Sequence, residues 1–231
     1  MSGSLTITEI YKSLQGESTY AGLACVFVRL TGCNLRCDWC DSEFSFYGGK
    51  KMSREEILDE VARLSPGGGL VEITGGEPML QEKEVVPLME QLLERGYEVL
   101  LETSGERALA RVPAAVIKIV DVKCPNSGEA DTFAIENLEA LQAHDEVKFV
   151  LSDRADYGFA RDFVTRHRLD QRVHAVLFSP AFRKDASGAR DSSHCLLDPE
   201  ELARWMLADD VPARLSLQIH KLIWDPAAKG V

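Results

Sequence analysis

The chain alternates between short apolar runs and longer segments in which apolar residues recur at helical spacing. The apolar runs are short enough for buried strands, and they predict strands at 24–30, 70–74, 97–102, 116–122, 146–151, 173–178 and 214–219. The helical spacing predicts helices from Ser53 onward, around 85–92, and at 132–141, 155–166 and 199–207. Because repeated strand–helix units form parallel sheets joined by right-handed crossovers, this order predicts an α/β fold with an open sheet or a curved partial barrel.

Local signals mark the ends of two of these helices. Ser53 followed by Glu56 is a capping box, in which each side chain hydrogen-bonds the backbone N–H of the other residue. Gly96 predicts a C-cap after the helix around 85–92.

Composition narrows the class of protein. The 231 residues are 45% hydrophobic and no linker or repeat divides them, which predicts one domain over 1–231 with a sizeable core. No apolar run approaches the ~20 residues that cross a bilayer, and no signal peptide opens the chain, so we expect a cytoplasmic protein without a membrane partner. The net charge of −11 argues against a nucleic-acid partner, because phosphate binding rests on clustered Lys and Arg.

Polar and glycine residues follow several of the predicted strands. They are Thr31-Gly32-Cys33, Thr74-Gly75-Gly76-Glu77-Pro78, Glu102-Thr103-Ser104-Gly105, Lys123-Cys124-Pro125-Asn126 and Ser179-Pro180. Parallel α/β folds bind ligands at the carboxyl ends of their strands, so these segments predict one binding rim. The paired glycines would let the backbone approach a ligand closely, and Glu77 could accept a hydrogen bond from an ammonium group.

Three cysteines stand in a CxxxCxxC spacing at Cys33, Cys37 and Cys40. Three thiolates on an iron–sulfur cubane leave one iron open for a ligand that is not protein. The alternative is a structural zinc site, which needs a fourth ligand, and no second cysteine pair of zinc-finger spacing is present. The other thiols are scattered at 25, 124 and 195, and the one at 25 lies in an apolar run that predicts a core position.

The CxxxCxxC motif, followed one strand–helix unit later by GGEP at 75–78, resembles the radical S-adenosylmethionine superfamily. Further segments are similar to the 7-carboxy-7-deazaguanine synthase family over essentially the whole chain: YKSLQGES at 11–18, TGCNLRCDWCDS at 31–42, ETSG at 102–105, DVKCPNSGE at 121–129, and LQIHKLIW at 217–224. The resemblance implies a single-domain partial (β/α) barrel of the radical S-adenosylmethionine type. It also implies a lyase of queuosine and 7-deazapurine biosynthesis. Such an enzyme converts 6-carboxy-5,6,7,8-tetrahydropterin to 7-carboxy-7-deazaguanine by radical ring contraction with loss of ammonia.

The resemblance also implies cofactors and the residues that hold them. Cys33, Cys37 and Cys40 match the ligands of a [4Fe-4S] cluster, and Ser42 matches a hydroxyl ligand of Mg²⁺. The residues that match the S-adenosylmethionine pocket are Trp39, Asp41, Gly76, Lys123, Cys124 and Pro125, with Glu77, Ser104, Phe178 and Ser179.

The substrate positions follow from the same resemblance. Leu14, Gln15, Gly16, Arg29 and Thr74 match the pterin-binding positions, and Val231 matches a terminal carboxylate that reaches the substrate. The Gln15 amide could read the pterin edge, and the Arg29 guanidinium could form a two-pronged contact with the substrate carboxylate. An exposed strand charge is the alternative for Arg29. Glu17 and His220 complete the candidate catalytic set with Arg29, although a lone histidine after a strand is often structural.

Partners and alternatives complete the sequence-based picture. The resemblance implies an electron donor such as flavodoxin or ferredoxin, and a homodimer. A different radical S-adenosylmethionine enzyme, such as a glycyl-radical activase, would share the thiol motif but act on a protein. A non-enzymatic metal-binding protein would use the three thiols structurally.

Overall fold

The computed structural model describes residues 3–184, 191–225 and 228–230. Its strands are Ser4–Leu14 (β1), Ala24–Leu30 (β2), Lys50–Ser53 (β3), Gly69–Gly75 (β4), Tyr97–Thr103 (β5), Ile117–Asp121 (β6), Glu146–Leu151 (β7), Ala175–Pro180 (β8) and Arg214–Leu215 (β9). Its α-helices are Arg54–Leu64 (α1), Glu82–Glu94 (α2), Arg154–His167 (α3), Pro199–Asp209 (α4) and His220–Ile223 (α5). None of these helices is long and apolar enough to span a bilayer.

The strands form one sheet in the order β3-β1-β2-β4-β5-β6-β7-β8-β9. From β2 to β9 every neighbouring pair is parallel, whereas β1 pairs antiparallel with both β2 and β3. The predicted α/β class and partial-barrel architecture are confirmed. The prediction did not include the antiparallel strands β1 and β3. Polar residues interrupt β1 throughout, so it has no continuous apolar run, and β3 consists of two lysines, a methionine and a serine.

Most of the predicted elements are present. Strands β2 and β7 have the predicted bounds, and β4, β5, β6 and β8 differ from theirs by one or two residues at an end. The run at 214–219 is strand over two residues only, because the chain then turns into α5. The α-helix predicted at 132–141 is wrong: this stretch contains short 3-10 turns, the longest of them Ile135–Glu139.

The predicted capping box is confirmed at the start of α1. The Ser53 hydroxyl accepts a hydrogen bond from the Glu56 N–H, and the Glu56 carboxylate accepts one from the Ser53 N–H at 2.7 Å. At the end of α2, Gly96 has a φ of 82°, which suits glycine because it has no side chain to strain. These local signals fix where α1 begins and where α2 ends.

The two faces of the sheet bury different residues, because side chains alternate along a strand. On the outer face, strand residues such as Val26 and Val28 join the main core with the apolar sides of α1 to α4. On the inner face, a smaller apolar cluster contains Cys25, Phe27, Leu70, Leu100, Ile117 and Ile119, with Tyr11 and Tyr20 packed against it. Toward the carboxyl ends of the strands the inner face becomes charged, and there the cleft opens.

Candidate active site

The cleft lies at the carboxyl ends of the parallel strands, where the sequence predicted a binding rim. The predicted site residues that line it are Leu14, Gln15, Gly16, Glu17, Arg29, Cys33, Cys37, Trp39, Cys40, Asp41, Ser42, Thr74, Gly76, Glu77, Ser104, Lys123 and His220. Residues that are more than 200 positions apart in the chain therefore share one surface.

Four predicted site residues lie elsewhere among the described residues. Phe178 points to the outer face, where its ring packs edge-on against Phe149 and Tyr157. Cys124 is also buried in the main core, and Pro125 is exposed. Ser179 is buried and occupies a position of β8 whose side chain faces the inner side of the sheet. Its hydroxyl has no hydrogen-bond partner within the described residues. Strand alternation explains the difference between Phe178 and Ser179: neighbouring residues of a strand cannot face the same side.

The loop that carries the three thiols is held by backbone hydrogen bonds to its neighbours. The Glu77 N–H donates to the Gly32 carbonyl at 2.8 Å, and the Asp38 N–H donates to the Ser127 carbonyl at 3.0 Å. Within the loop, the Arg36 guanidinium donates to the carbonyls of Cys33 and Leu35. The loop is thus attached to the turns that follow β4 and β6, which places its thiols over the carboxyl ends of the strands.

The thiols are chemically suited to bind iron once they lose their protons. Burial raises the pKa of Cys33, and burial raises the pKa of Cys37 to about 11, so both are protonated at neutral pH without a metal. A metal displaces such protons and holds the thiolates. Within the described part of the chain, no three His, Cys, Asp or Glu side chains are grouped as they would be around a single ion.

Gly76 lets two segments of the site approach each other closely. A Cβ atom at this position would lie 2.3 Å from the Gly32 carbonyl oxygen and 2.7 Å from the Cys33 Cβ. Backbone atoms cannot move away as the end of a flexible side chain can. Any larger residue at 76 would therefore displace the start of the thiol loop.

We expect Gly76→Ala to lower the iron content of anaerobically reconstituted protein several-fold, because the thiol loop must shift to admit the methyl group. Overpacking of this kind also costs about 1–3 kcal/mol of the free energy of unfolding. Gly158→Ala is the matched control, since a Cβ at Gly158 in α3 would meet nothing within 4 Å. Iron content in Gly76→Ala equal to that of the control would contradict the role of Gly76.

Glu77 does not have the free carboxylate that the sequence suggested. It is 1% exposed, and its two oxygens accept hydrogen bonds from the Met79 and Ser104 N–H groups and from the Thr103 and Ser104 hydroxyls, at 2.8 to 2.9 Å. Four protein donors fill the acceptor positions of a carboxylate. Glu77 therefore fastens the turn after β4 to the end of β5, and Ser104 serves the same link.

The Gln15 amide is also used within the protein. Its Nε2 donates to the Glu72 carboxyl group, and its Oε1 accepts from the Glu17 N–H at 2.8 Å. At 3% exposure it lines the cleft but does not offer the free amide that was predicted to read a ligand. Gln15 instead fixes the path of the N-terminal segment across the inner face of the sheet.

Arg29 is largely buried in the cleft wall, which removes the alternative of an exposed strand charge. Its Nε donates to Glu9 at 2.9 Å and its Nη2 donates to the Tyr11 hydroxyl at 2.9 Å. The guanidinium also lies 5.8 Å from the centre of the Phe44 ring. Two of its donor groups are thus held by β1, and this orients the planar group at the cleft surface.

A buried lysine that the sequence reading missed organises the floor of the cleft. Lys148 is 3% exposed, and its Nζ lies 2.6 Å from Glu17 Oε2, in contact with Glu102, and 4.0 Å from Asp121 Oδ2. Burial opposes its charge, but Glu102 and Glu17 outweigh burial and raise the pKa of Lys148 well above its usual value. Lys148 is therefore an ammonium group among three carboxylates.

Lys148 holds the Glu17 carboxyl group in its charged form. Burial alone would raise the pKa of Glu17, but Lys148 outweighs it, and the pKa of Glu17 falls to about 2. Glu17 Oε1 also accepts from the Gln218 amide at 2.8 Å. Asp121 forms a second ion pair with Lys123 at 2.7 Å. One sequence signal could have identified these charged residues. Lys148 in β7 and Asp121 in β6 are charged residues of apolar strands, at the alternate positions whose side chains face the inner side of the sheet.

The C-terminal segment closes one side of the cleft. The Ile219 N–H donates to the Gly16 carbonyl at 2.9 Å, and Lys221 pairs with Asp41 at 2.7 Å. A Cβ at Gly16 would lie 2.1 Å from Nδ1 of His220, so the glycine makes room for the imidazole. These contacts join the N-terminal segment and the thiol loop to the same short stretch of chain.

The last described residues lie over the cleft. Ala228 and Gly230 line it, and Nζ of Lys229 is 4.4 Å from the centre of the Phe44 ring. Val231 lies outside the described residues, so its contact with substrate stays a prediction.

Comparison with known proteins gives a consistent picture. The sequence model of the radical SAM superfamily matches residues 27–123. The 7-carboxy-7-deazaguanine synthase of Koribacter versatilis is 66% identical over 227 residues, covering 98% of this chain and 100% of that protein. The enzyme of the same name from Chlorobaculum tepidum is 38% identical over 234 residues, covering 98% of this chain and 97% of that protein. The crystal structure of QueE from Escherichia coli has the same fold, with a TM-score of 0.71 at 22% identity and 93% coverage of both chains.

Proposed function

The chain belongs to the 7-carboxy-7-deazaguanine synthase family of radical S-adenosylmethionine enzymes, and on this premise we propose that it converts 6-carboxy-5,6,7,8-tetrahydropterin to 7-carboxy-7-deazaguanine. The product serves 7-deazapurine biosynthesis, the pathway of queuosine. The observation that carries the proposal is the meeting of the thiol loop and a charged, enclosed floor in one cleft. A structural metal site would have no need of that floor.

The donor set fits the cofactors that the family uses. Cys33, Cys37 and Cys40 line the cleft and would hold three irons of a [4Fe-4S] cluster, leaving the fourth for S-adenosylmethionine. Bound there, the cluster and S-adenosylmethionine supply the one-electron chemistry that begins the reaction by abstracting hydrogen. Trp39, Gly76 and Lys123 line the space beside the thiols and would contact S-adenosylmethionine.

The charged floor fits the two ends of a carboxypterin. A pterin has a guanidine-like edge with several N–H donors, and carboxylates accept hydrogen bonds from such an edge with charge assistance. Glu17 lines the cleft in its charged form, beside Leu14 and Gly16. At the β2 wall, the oriented guanidinium of Arg29 would meet the substrate carboxylate, and Thr74 stands on the neighbouring strand. His220 closes the same surface.

Further parts of the proposal concern Mg²⁺ and partners. Ser42 lines the cleft next to Cys40, and its hydroxyl would be one oxygen ligand of Mg²⁺, which keeps much of its water shell. A one-electron donor such as flavodoxin or ferredoxin would reduce the cluster. We further propose a homodimer in the cytoplasm.

The deciding experiment is turnover under anaerobic conditions. Reconstituted protein is incubated with 6-carboxy-5,6,7,8-tetrahydropterin, S-adenosylmethionine, a reductant and Mg²⁺, and the products are identified by mass spectrometry. We expect 7-carboxy-7-deazaguanine with release of ammonia. Cleavage of S-adenosylmethionine without change of the pterin would point to another substrate, and no cleavage would contradict the proposal as a whole.

We expect the terminal carboxylate of Val231 to contribute to substrate binding. Deleting Gly230 and Val231, or extending the chain so that the carboxylate becomes an amide, should weaken substrate binding by about 1–3 kcal/mol, the range for a charged hydrogen bond. Cluster content and S-adenosylmethionine binding should not change. Equal turnover by C-terminally and N-terminally tagged protein would show that the carboxylate has no such role.

A further inference from the structure

Glu72 is a carboxyl group of the cleft floor for which the proposed chemistry has no role yet. It stands in the middle of β4, is 2% exposed, and lines the cleft. No salt bridge joins it to a cation within the described residues, because Lys148 is engaged by its neighbours instead. An ionised carboxylate buried without a partner is costly, so the hydrogen bonds of Glu72 decide which form it takes.

Two neighbouring side chains are placed to hydrogen-bond with Glu72. The Gln15 amide donates to one of its oxygens, and the direction of that bond is fixed because the other end of the amide accepts from the Glu17 N–H. The other is the Glu102 carboxyl group on the adjacent strand: because Ile73 pairs with Leu101, Glu72 and Glu102 share the inner face as diagonal neighbours, within reach of long side chains, and both line the cleft. Two carboxyl groups can hydrogen-bond each other only when one of them carries a proton.

The position of Lys148 decides which of the two carries it. Lys148 contacts Glu102 directly, and this stabilises the anion on Glu102. We infer that Glu72 is a protonated carboxylic acid that donates to the Glu102 carboxylate and thereby positions it at the floor of the substrate cleft. Glu72 then offers one acceptor to Gln15 and one donor to Glu102, which is the hydrogen-bonding pattern of an amide.

The groups that face Glu72 agree with this form. Glu102, Glu17 and Lys148 act on its carboxyl group electrostatically, and Glu72 acts in turn on the Tyr11 hydroxyl and the Cys25 thiol. Burial, followed by Glu102 and Glu17, raises the pKa of Glu72 well above its usual value. The folded protein therefore holds a proton that the unfolded chain releases, and stability falls as pH rises above the ordinary glutamate pKa.

The protonation state can be measured without substrate. Infrared spectra of the wild type at neutral pH should contain the C=O band of a protonated carboxyl group, and the band should shift in heavy water. Glu72→Gln should remove the band. Glu98→Gln is the matched control, because Glu98 is an exposed carboxyl group on β5 that accepts from the Tyr20 hydroxyl. The band's absence in the wild type, or its survival in Glu72→Gln, would overturn the inference.

Two variants then test the positioning role, which rests on the proposed function. Glu72→Gln preserves both hydrogen bonds, so its affinity for the carboxypterin should stay within about twofold of the wild type. It should also lose the fall in stability that the wild type undergoes as pH rises above the ordinary glutamate pKa. Glu72→Ala removes the donor to Glu102, and its affinity should fall about tenfold, with reductive cleavage of S-adenosylmethionine preserved.

The outcomes separate this inference from the proposed function. An infrared band assigned to Glu72 in a protein that does not bind the pterin would uphold the protonated carboxyl pair and reject the substrate. Equal losses of affinity in Glu72→Gln and Glu72→Ala, in a protein that binds the pterin, would show that Glu72 acts as an anion, and the positioning role would fall.

Discussion

Replacement of Cys33, Cys37 or Cys40 by Ala should abolish both cluster assembly and turnover. Each thiolate would hold a different iron of the cluster, so none can substitute for another. The iron and sulfide content of anaerobically reconstituted protein, together with its visible absorbance, measures assembly. Cleavage of S-adenosylmethionine by the reduced protein measures the chemistry that depends on it.

The other cysteines provide matched controls for this prediction. Cys25 belongs to the inner apolar cluster and Cys195 is buried beside Phe182, with which it forms an isolated strand bridge. Neither lines the cleft, so Cys195→Ala should keep full iron content and activity. Loss of the chromophore in Cys195→Ala, or its retention in Cys37→Ala, would show that the ligands have been identified incorrectly.

Lys148→Met should have the largest effect on stability of any change in the cleft floor. It removes the ammonium that Glu17 and Glu102 share, and breaking one side of a buried ion pair costs about 3–5 kcal/mol. The penalty depends on the charge of the carboxylates. Because the folded-state pKa of Glu17 is lowered to about 2, its contribution is present above the ordinary glutamate pKa and is lost as pH falls toward 2. The difference in the free energy of unfolding between Lys148→Met and the wild type should therefore become smaller as the pH is lowered.

Chemical unfolding at neutral pH and near pH 3 measures both parts of this prediction. Lys118→Met is the control, since Lys118 is equally buried and pairs with Asp145 at 2.8 Å but does not line the cleft. Both variants should lose stability, whereas only Lys148→Met should also weaken pterin binding. A Lys148→Met protein as stable as the wild type, or one whose deficit is the same at both pH values, would contradict the ion-pair interpretation.

Local patterns were sufficient for most of the fold. The apolar runs at β2 and β7 were placed to the residue, and the capping box located the start of α1, because both features depend on neighbours in the sequence. The antiparallel strand β1 escaped detection because its stability comes from pairing with β2 and β3 rather than from an apolar run. The stretch at 132–141 has helical spacing, yet its backbone forms 3-10 turns against the rest of the structure.

The location of the site could be predicted from the sequence, but the hydrogen bonds and ion pairs among its residues could not. Strand ends and the thiol spacing indicated where ligands would bind, and 17 of the predicted residues line the cleft. Hydrogen-bond partners are a property of the folded chain, so the sequence could not show that Glu77 and Gln15 are already occupied by protein groups. Lys148 was missed for a related reason: the carboxylates that surround it come from two other strands and from the N-terminal segment.

The contacts between the N-terminal and C-terminal segments have a consequence for the order in which the molecule folds. The bond from Gln218 to Glu17 spans 201 positions, and contacts of such separation carry the greatest loop-closure entropy. Strands β2 to β7 pair between near neighbours in the chain and can form first. During synthesis, the parallel sheet would form before the C-terminal segment packs on it. At that stage Glu17 would already pair with Lys148, but the His220 side chain would not yet lie against Gly16. The thiol loop would be accessible to an iron donor until Ile219 and Lys221 bind Gly16 and Asp41.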